Sequence, residues 1–181
     1  MKISTWNVNS VNARIEHLEK FIKKDQSDIY LLQELKTIEE GFPKEIIKNT
    51  GYYSYVNGQK AWNGVAILSK EKLEITNTSI PKYDDPNARF IETEIQLKKI
   101  KKNIKLINIY LPNGNPIETE KFDYKIEWMK KFNSYIQELK NNNIPIIISG
   151  DFNVIPSDDD VYSPENFKND AWAHPITREQ Y

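Results

Sequence analysis

The sequence predicts an α/β protein in which mixed β-sheets pack in layers with helices on the outside. Strand-like and helix-like patterns alternate in the first third of the chain, and short strand-like runs separated by turn residues follow in the middle. A long amphipathic helix then precedes one more apolar strand. The 181 residues are enough to bury roughly 70% of the unfolded surface. We therefore expect a single domain over residues 1–181.

The composition limits the kinds of site and partner. With 25 basic and 26 acidic residues, the chain has no global field that would draw it to a polyanion, so any such contact must be local. There is no cysteine and there are only two histidines, so any metal would be held by oxygen atoms. The sequence has neither an apolar signal core nor a run of about 20 apolar residues. We expect a cytoplasmic protein without a membrane partner.

The first third of the chain predicts a β-α-β unit. Residues 2–6 have a strand pattern, a helix is predicted from a cap at Asn12 to the polar turn at 25–27, and residues 28–33 return to a short buried strand. The two strands end at Asn7 and Glu34. Because sequential strands of this kind usually lie side by side, we expect these two side chains to meet.

The middle of the chain predicts antiparallel hairpins. The strand-like runs are residues 52–56, 64–69, 73–78, 90–97 and 103–110. The basic run 98–102, with Lys105 beyond it, is interpreted as a solvated hairpin tip, although it could also touch phosphates. A helix is predicted over residues 119–140, with its apolar side chains on one face. The last 30 or so residues lose the strong periodicity and are expected to be rich in loops, and the chain is expected to end in a helix.

The segment 144–153 predicts a buried strand that ends in an acid and an amide. Its isoleucine-rich start is typical of a strand covered on both faces, and Gly150 can adopt backbone angles that other residues resist. Asp151 and Asn153 are two residues apart, so in extended geometry they would share one face. That pair suits a hard divalent cation or the orientation of a water molecule. An ordinary turn containing an Asp and an Asn is the alternative.

Five ordered segments resemble the exodeoxyribonuclease III, or AP endonuclease, family of the exonuclease, endonuclease and phosphatase superfamily. They are residues 5–10, 32–36, 58–66, 108–114 and 150–156, and the resemblance spans essentially the whole chain. It implies a four-layered α/β sandwich with the site at one edge of two packed sheets. It also implies a DNA repair nuclease of base excision repair, which cuts duplex DNA at abasic sites and removes nucleotides from 3′ ends.

The resemblance also assigns site residues. Glu34 matches the metal-binding glutamate, and Asn7 matches the asparagine beside it that helps hold the metal. Tyr110 matches the active-site tyrosine, Asp151 the general acid or base and a metal contact, and Asn153 the asparagine that positions phosphate and metal. The implied ion is Mg²⁺, with Mn²⁺ as a substitute. A surface glutamate, turn-forming asparagines and a packing tyrosine are the ordinary explanations for the same residues.

A second group of residues is implied to face DNA. Arg89 and Asn113 match family positions that face the duplex, and Trp62 and Asn63 lie in a loop expected near it. Polar residues in surface turns are the ordinary explanation for this group. A superfamily phosphatase is a weaker alternative for the substrate.

The family pattern continues beyond Tyr181. The continuation supplies a second buried aspartate and an Asp-His pair, and His174 lies in a different loop, so it is not the missing histidine. We therefore expect a sandwich whose C-terminal part is missing. The chain is then either a nuclease that lacks its histidine step or a non-catalytic remnant or half-domain, which needs a separate C-terminal chain. A split gene, an incomplete sequence and a complementing second half would each explain it.

Overall fold

The computed structural model describes residues 1–97 and 102–181, which form two compact units. The first unit contains residues 1–110 and 143–151, and the second contains residues 111–142 and 152–181. Residues 98–101 of the basic run lie outside the described residues, so the predicted hairpin tip stays a prediction.

The first four strands of the first unit form one sheet, which we call sheet A. Its strands are β1 (Ile3–Asn7), β2 (Ile29–Gln33), β3 (Tyr53–Asn57) and β4 (Val65–Ser69). They lie in the order β1-β2-β4-β3, with β1 and β2 parallel and the other neighbours antiparallel. The parallel pair confirms the predicted β-α-β unit.

The other four strands form sheet B. They are β5 (Ile75–Asn77), β6 (Phe90–Leu97), β7 (Lys102–Tyr110) and β8 (Ile146–Asp151), in the order β5-β6-β7-β8. β7 and β8 are parallel, and the other neighbours are antiparallel. The antiparallel pairs β3–β4 and β6–β7 confirm the hairpins predicted for the middle of the chain.

Strand β8 is less buried than its sequence predicts. A strand covered on both faces was expected, but all six of its residues are only half-buried. The reason is its place in the sheet, since β8 lies at the edge and pairs along one side with β7. Isoleucines at an edge strand leave apolar surface and unpaired backbone groups exposed.

Sheets A and B pack face to face through an aliphatic core. Its buried members alternate along the strands and come from both sheets: Ile29, Leu31, Val65, Ile67, Ile91, Ile95, Ile104 and Leu106. The outer face of sheet A is covered by helices α1 (Ile15–Asp25) and α2 (Lys44–Asn49), whose Leu18, Ile22 and Ile47 join the second apolar cluster. These layers confirm the predicted α/β sandwich of two mixed sheets with helices outside.

One helix prediction in this unit was wrong, and one helix was missed. Asn12 does not cap α1: a short 3₁₀ turn occupies Asn12–Arg14, α1 begins at Ile15, and the Asn12 side chain donates instead to the carbonyl of Gly41 at 3.1 Å. Helix α2 was not predicted, because six residues are too few to show a helical period.

The second unit is mainly helical. Helix α3 (Glu120–Asn141) buries the predicted apolar face, which comprises Phe122, Ile126, Met129, Phe132, Ile136 and Leu139. Two 3₁₀ turns, Asp158–Asp160 and Pro164–Phe167, and helix α4 (Pro175–Gln180) follow, which confirms the loop-rich end with its terminal helix. In the part of the chain that the structure describes, no helix is long and apolar enough to cross a bilayer.

Asp25 makes a testable contribution to stability. Its carboxylate accepts hydrogen bonds from Lys2 Nζ at 2.6 Å, Ser27 Oγ at 2.5 Å and Ser4 Oγ at 3.0 Å. The bonds from Lys2 and then Ser27 hold the pKa of this carboxyl well below its ordinary value of 3.8. A lowered pKa stabilises the fold above the unfolded-state pKa, and that stabilisation is lost as the pH falls through the folded-state pKa.

We therefore expect Asp25→Asn to lower the melting temperature by a constant amount between pH 7 and pH 5. The difference from the parent chain should shrink on acidification below about pH 4. Thermal unfolding followed by circular dichroism at several pH values measures it. Asp84→Asn, at an exposed position, is the control and should show no such profile. A difference that stays the same down to pH 2.5 would contradict the role of the charge.

Candidate active site

Four residues of the candidate site stand at the carboxyl ends of strands in the first unit. Asn7, Tyr110 and Asp151 are the last residues of β1, β7 and β8, and Glu34 directly follows β2. β1 runs parallel to β2 and β7 runs parallel to β8, so each sheet delivers two of these residues at the same end.

Hydrogen bonds join the four side chains across the two sheets. Asn7 Nδ2 donates to Glu34 Oε1 at 3.0 Å and to Asp151 Oδ2 at 2.7 Å. The Tyr110 hydroxyl donates to Glu34 Oε1 at 2.6 Å. The expected meeting of Asn7 and Glu34 is confirmed. Two carboxylates thus lie around one amide, and a phenol lies against one of them.

The backbone after β2 aims two side chains at the site. Glu34 and Lys36 both have φ of 55°, in the left-handed region that non-glycine residues rarely adopt, while Leu35 between them is fully buried. Lys36 Nζ lies 3.1 Å from Glu34 Oε2 and donates to Asn9 Oδ1 at 2.5 Å. The sequence interpretation did not include Lys36 in the site. No periodicity pointed to it, because both residues follow the end of β2 and have left-handed φ.

The surroundings fix the protonation of Glu34 and Tyr110. Burial acts to raise the pKa of Glu34, but hydrogen bonds from Asn7, Tyr110 and Lys36 outweigh it and leave that pKa below its ordinary value. Burial, and then the hydrogen bond to Glu34, raise the pKa of Tyr110 well above the ordinary value. At neutral pH, Glu34 is therefore an acceptor and Tyr110 is a hydrogen-bond donor rather than a base.

We expect Tyr110→Phe to raise the pKa of Glu34, because it removes one of the donors that favour the carboxylate. The measurement is an NMR titration of the Glu34 side-chain carboxyl carbon in metal-free buffer. Tyr55→Phe is the matched control, since the Tyr55 hydroxyl accepts from the backbone nitrogen of Leu73 at 2.6 Å. A Glu34 pKa equal in the two variants would show that the phenol does not support the charge.

Arg89 lies against Tyr110. Its Nη1 donates to the carbonyl oxygen of Tyr110 at 3.1 Å, and its guanidinium carbon is 5.0 Å from the centre of the tyrosine ring. The backbone nitrogen of Tyr110 donates to the carbonyl of Arg89 at 2.8 Å. Arg89 thus supports the tyrosine. Its predicted contact with DNA stays a prediction.

The loop that contains Trp62 and Asn63 is tied down by amides. Asn63 is only 8% exposed, and its Nδ2 donates to Gln59 Oε1 at 2.8 Å and to Asn87 Oδ1 at 3.2 Å. Trp62 is 69% exposed. The amide nitrogen of Asn63 thus holds the loop, while the Trp62 ring is open to solvent. The predicted DNA contacts of both residues stay predictions.

Asn113 and Asn153 belong to the second unit, where a buried lysine links their backbones. Lys125 Nζ donates to the carbonyl of Asn153 at 2.6 Å and to that of Asn113 at 3.2 Å, and the lysine is fully buried. Asn153 Nδ2 donates to the carbonyl of Leu111 at 2.8 Å. Sequence reasoning missed Lys125. Its signal was a lysine on the apolar face of α3, where an unpaired ammonium would be costly.

The argument that placed Asp151 and Asn153 on one strand face was wrong. β8 ends at Asp151, and Asn153 has φ of 46°, so the two residues do not lie on one extended strand. The left-handed residue turns the chain instead of continuing the strand. The predicted roles of Asn153 toward phosphate and metal do not depend on that argument and stay predictions.

The donor set fits a hard divalent cation. Glu34 and Asp151 supply two carboxylates, and Mg²⁺ is usually held by one or two carboxylates, with waters and substrate phosphate oxygens completing its shell. Among the described residues there is no group of three or more His, Cys, Asp or Glu side chains that could hold a metal ion together. Asn7 turns its nitrogen to the carboxylates, and its Oδ1 accepts from the backbone nitrogen of Asn9 at 3.0 Å. In this arrangement Asn7 holds the two carboxylates together.

Comparisons with known proteins identify the family of this chain. A model described as the Endonuclease/Exonuclease/phosphatase family matches residues 4–180. An exodeoxyribonuclease III of Haemophilus influenzae is 36% identical over 167 residues, which cover 89% of this chain and 60% of that protein.

Solved structures are similar over nearly the whole chain. An AP endonuclease from Archaeoglobus fulgidus superposes with a TM-score of 0.91 at 32% identity, over 100% of this chain and 68% of that one. The 3′ phosphatase NExo from Neisseria, bound to a product DNA hairpin, superposes with a TM-score of 0.90 at 31% identity, over 99% and 68%. The chain thus spans 60–68% of the length of these three proteins.

Proposed function

The chain belongs to the endonuclease/exonuclease/phosphatase family, and we propose that it is a Mg²⁺-dependent DNA repair nuclease. The observation that carries the proposal is the meeting of Asn7, Glu34, Tyr110 and Asp151 at one end of the two sheets. Proteins of this family generally depend on a divalent metal. The oxygen-rich donor set favours Mg²⁺, with Mn²⁺ as a substitute.

Glu34 and Asp151 are the residues that would hold the metal. When bound, the ion supplies positive charge that stabilises the phosphoryl oxygens and favours ionisation of a water molecule. Lys36 and Asn7 keep Glu34 ionised and oriented before substrate arrives.

The side chains of the site then divide the work of hydrolysis. Asp151 takes the proton of the attacking water or returns one to the leaving 3′ oxygen. Tyr110 is held protonated by its raised pKa, and on substrate binding its single O–H turns from Glu34 to a phosphoryl oxygen, where negative charge builds up. Asn153 serves as a second donor in our proposal. The chain has no cysteine, and the reaction requires no covalent nucleophile.

The proposed substrate is duplex DNA that contains an abasic site or a 3′ end. The names of the relatives support it, since they include an exodeoxyribonuclease III and an AP endonuclease, and one related structure holds a DNA hairpin. The nearly neutral composition means that contact must be local, and Arg89, Trp62, Asn63 and Asn113 are the proposed contacts. An abasic site is recognised through shape and kinking, because it has no base to read.

The test is cleavage of an end-labelled duplex with one abasic-site analogue by the purified 181-residue chain. We expect incision with Mg²⁺ and none with excess EDTA, and Glu34→Gln should reduce cleavage in Mg²⁺. Incision that persists in EDTA would refute the metal-dependent function. A parallel substrate with an intact 3′ end and no abasic site separates exonuclease from endonuclease activity.

A second candidate is a half-domain that becomes active with a separately made C-terminal chain. The observation that favours it is the half-buried, isoleucine-rich strand β8 at the edge of sheet B, which is suited to pairing with another strand. Its test is the same assay after addition of a peptide chain that corresponds to the part of the H. influenzae relative that this chain does not match. Activity only in the mixture would favour this candidate, and equal activity without the second chain would reject it.

A further inference from the structure

A buried polar contact joins the two sheets of the first unit next to the site residues. Gln33, on β2, is 1% exposed, and Asn108, on β7, is fully buried. Gln33 Nε2 donates to Asn108 Oδ1 at 2.7 Å. A hydrogen bond between side chains of opposite sheets thus occupies a layer whose buried cluster is mainly aliphatic.

The same two amides also reach other strands of sheet A. Asn108 Nδ2 donates to the carbonyl oxygens of Leu32 and Ala66, each at 2.9 Å, so β7 is bonded to the backbones of β2 and β4. Gln33 Nε2 lies 3.0 Å from Thr5 Oγ1 on β1. Strands β1, β2, β4 and β7 therefore share one network, which we call the intersheet network; Gln33 and Asn108 are its buried members, and Thr5 lies at its exposed end.

Each side chain of the intersheet network lies one or two residues from a site residue in the chain. Gln33 immediately precedes Glu34. Asn108 and Tyr110 are two apart on β7, so their side chains leave the same face of the strand. Thr5 and Asn7 have the same relation on β1. The network therefore fixes the strand segments from which the site residues extend.

The site needs such a constraint because it is itself built across the two sheets. The Tyr110 hydroxyl on sheet B must reach Glu34 at 2.6 Å, and Asp151 on sheet B must accept from Asn7 at 2.7 Å. Apolar contacts are non-directional and do not by themselves prevent a small slide of one sheet over the other. Hydrogen bonds have narrow distance and angle preferences, so they oppose such a slide.

We propose that Gln33 and Asn108 are positioning residues, which set the register of sheet B on sheet A so that Tyr110 and Asp151 meet Glu34 and Asn7. The inference rests on the proposed nuclease function for its kinetic consequence. Its geometric consequence, the Tyr110–Glu34 contact, exists whether or not the chain turns over DNA.

The test is the double variant Gln33→Leu/Asn108→Leu with 3-fluorotyrosine at position 110. Both partners become apolar together, so neither amide is left buried without its partner. We expect the ¹⁹F resonance to move from the parent position toward that of a Glu34→Gln variant with the same label. We also expect kcat on abasic-site DNA to fall about 10- to 100-fold with KM nearly unchanged, because the reacting groups are misplaced while the DNA surface is intact.

Thr93→Val is the matched control. Thr93 is fully buried on the strand face of Ile91 and Ile95, and its hydroxyl donates to the carbonyl of Glu74 at 2.6 Å, away from the site. It should lower the melting temperature without moving the ¹⁹F resonance or kcat. If the double variant does not fold, Gln33→Met replaces it. This substitution keeps the side-chain volume and the two hydrogen bonds from Asn108 to the carbonyls of Leu32 and Ala66. A smaller shift of the ¹⁹F resonance in the same direction is expected.

The ¹⁹F resonance tests the positioning role, and DNA cleavage tests the proposed nuclease function, so the two can fail separately. A ¹⁹F resonance at the parent position in a folded Leu/Leu or Met variant would overturn the positioning role, whatever the activity. A chain that cleaves no DNA but whose resonance moves in the variant would support the positioning role and reject the nuclease. A resonance that moves equally in Thr93→Val would also overturn the proposal, because general loosening of the core would then explain it.

Discussion

Asp151→Asn is expected to reduce the cleavage of abasic-site DNA by a factor of about 10²–10⁴, the usual contribution of a positioned general acid or base. The substitution keeps the shape of the side chain, and the amide oxygen can still accept the bond that Asn7 donates at 2.7 Å. It removes the group that accepts a proton and one of the two carboxylates that would hold Mg²⁺. Single-turnover cleavage with saturating enzyme measures the chemical step directly.

Asp28→Asn is the matched control for this experiment. Asp28 immediately precedes β2 and so lies at the opposite end of the strand from Glu34, where its carboxylate accepts from the backbone nitrogen of Lys2 at 2.7 Å. Its loss affects local stability and should leave the single-turnover rate unchanged. Equal rates for Asp151→Asn and the parent chain would remove Asp151 from the reaction, and the proposed division of roles would fail with it.

The meeting of Asn7 and Glu34 could be predicted because it follows from connectivity. A strand, a helix and a second strand give parallel neighbours, and the carboxyl ends of parallel neighbours lie at the same edge of a sheet. The atoms that touch were not predictable in this way. That Asn7 turns its nitrogen to both carboxylates depends on Asp151, which is far along the chain and arrives on the other sheet.

The residues that sequence reasoning missed or misplaced depend on local backbone geometry. Residues two apart share a face only within a continuous strand. Asn153 has a left-handed φ, so the strand does not continue to it and the spacing argument for Asp151 and Asn153 fails. The residue pattern also gives no sign that Glu34 and Lys36 adopt left-handed backbone angles. Gln33 and Asn108 were read as parts of strands, since a buried amide pair between sheets is specified by packing rather than by periodicity.

Gly150→Ala is expected to cause the largest loss of stability of any Gly→Ala substitution in this chain. Gly150 has φ of 144°, and a Cβ atom built there would lie 2.0 Å from the carbonyl oxygen of Ile109. The obstacle is the backbone of β7, to which β8 is paired, so it cannot be relieved by rotating a side chain. Backbone strain and overpacking each cost about 1–3 kcal/mol, which gives about 2–6 kcal/mol against a usual total of about 5–15 kcal/mol.

Gly51→Ala separates the two parts of this cost. Gly51 also has a positive φ, of 90°, but nothing lies within 4 Å of a Cβ added there, so only the backbone strain of about 1–2 kcal/mol applies. Urea unfolding of both variants measures the difference, which is the clash between β8 and β7. Because Asp151 follows Gly150 directly, relief of the clash should also move the carboxylate, and cleavage should fall in Gly150→Ala and not in Gly51→Ala. Equal destabilisation by the two substitutions would mean that β8 is free to shift away from β7, and the site could then not owe its geometry to that strand pair.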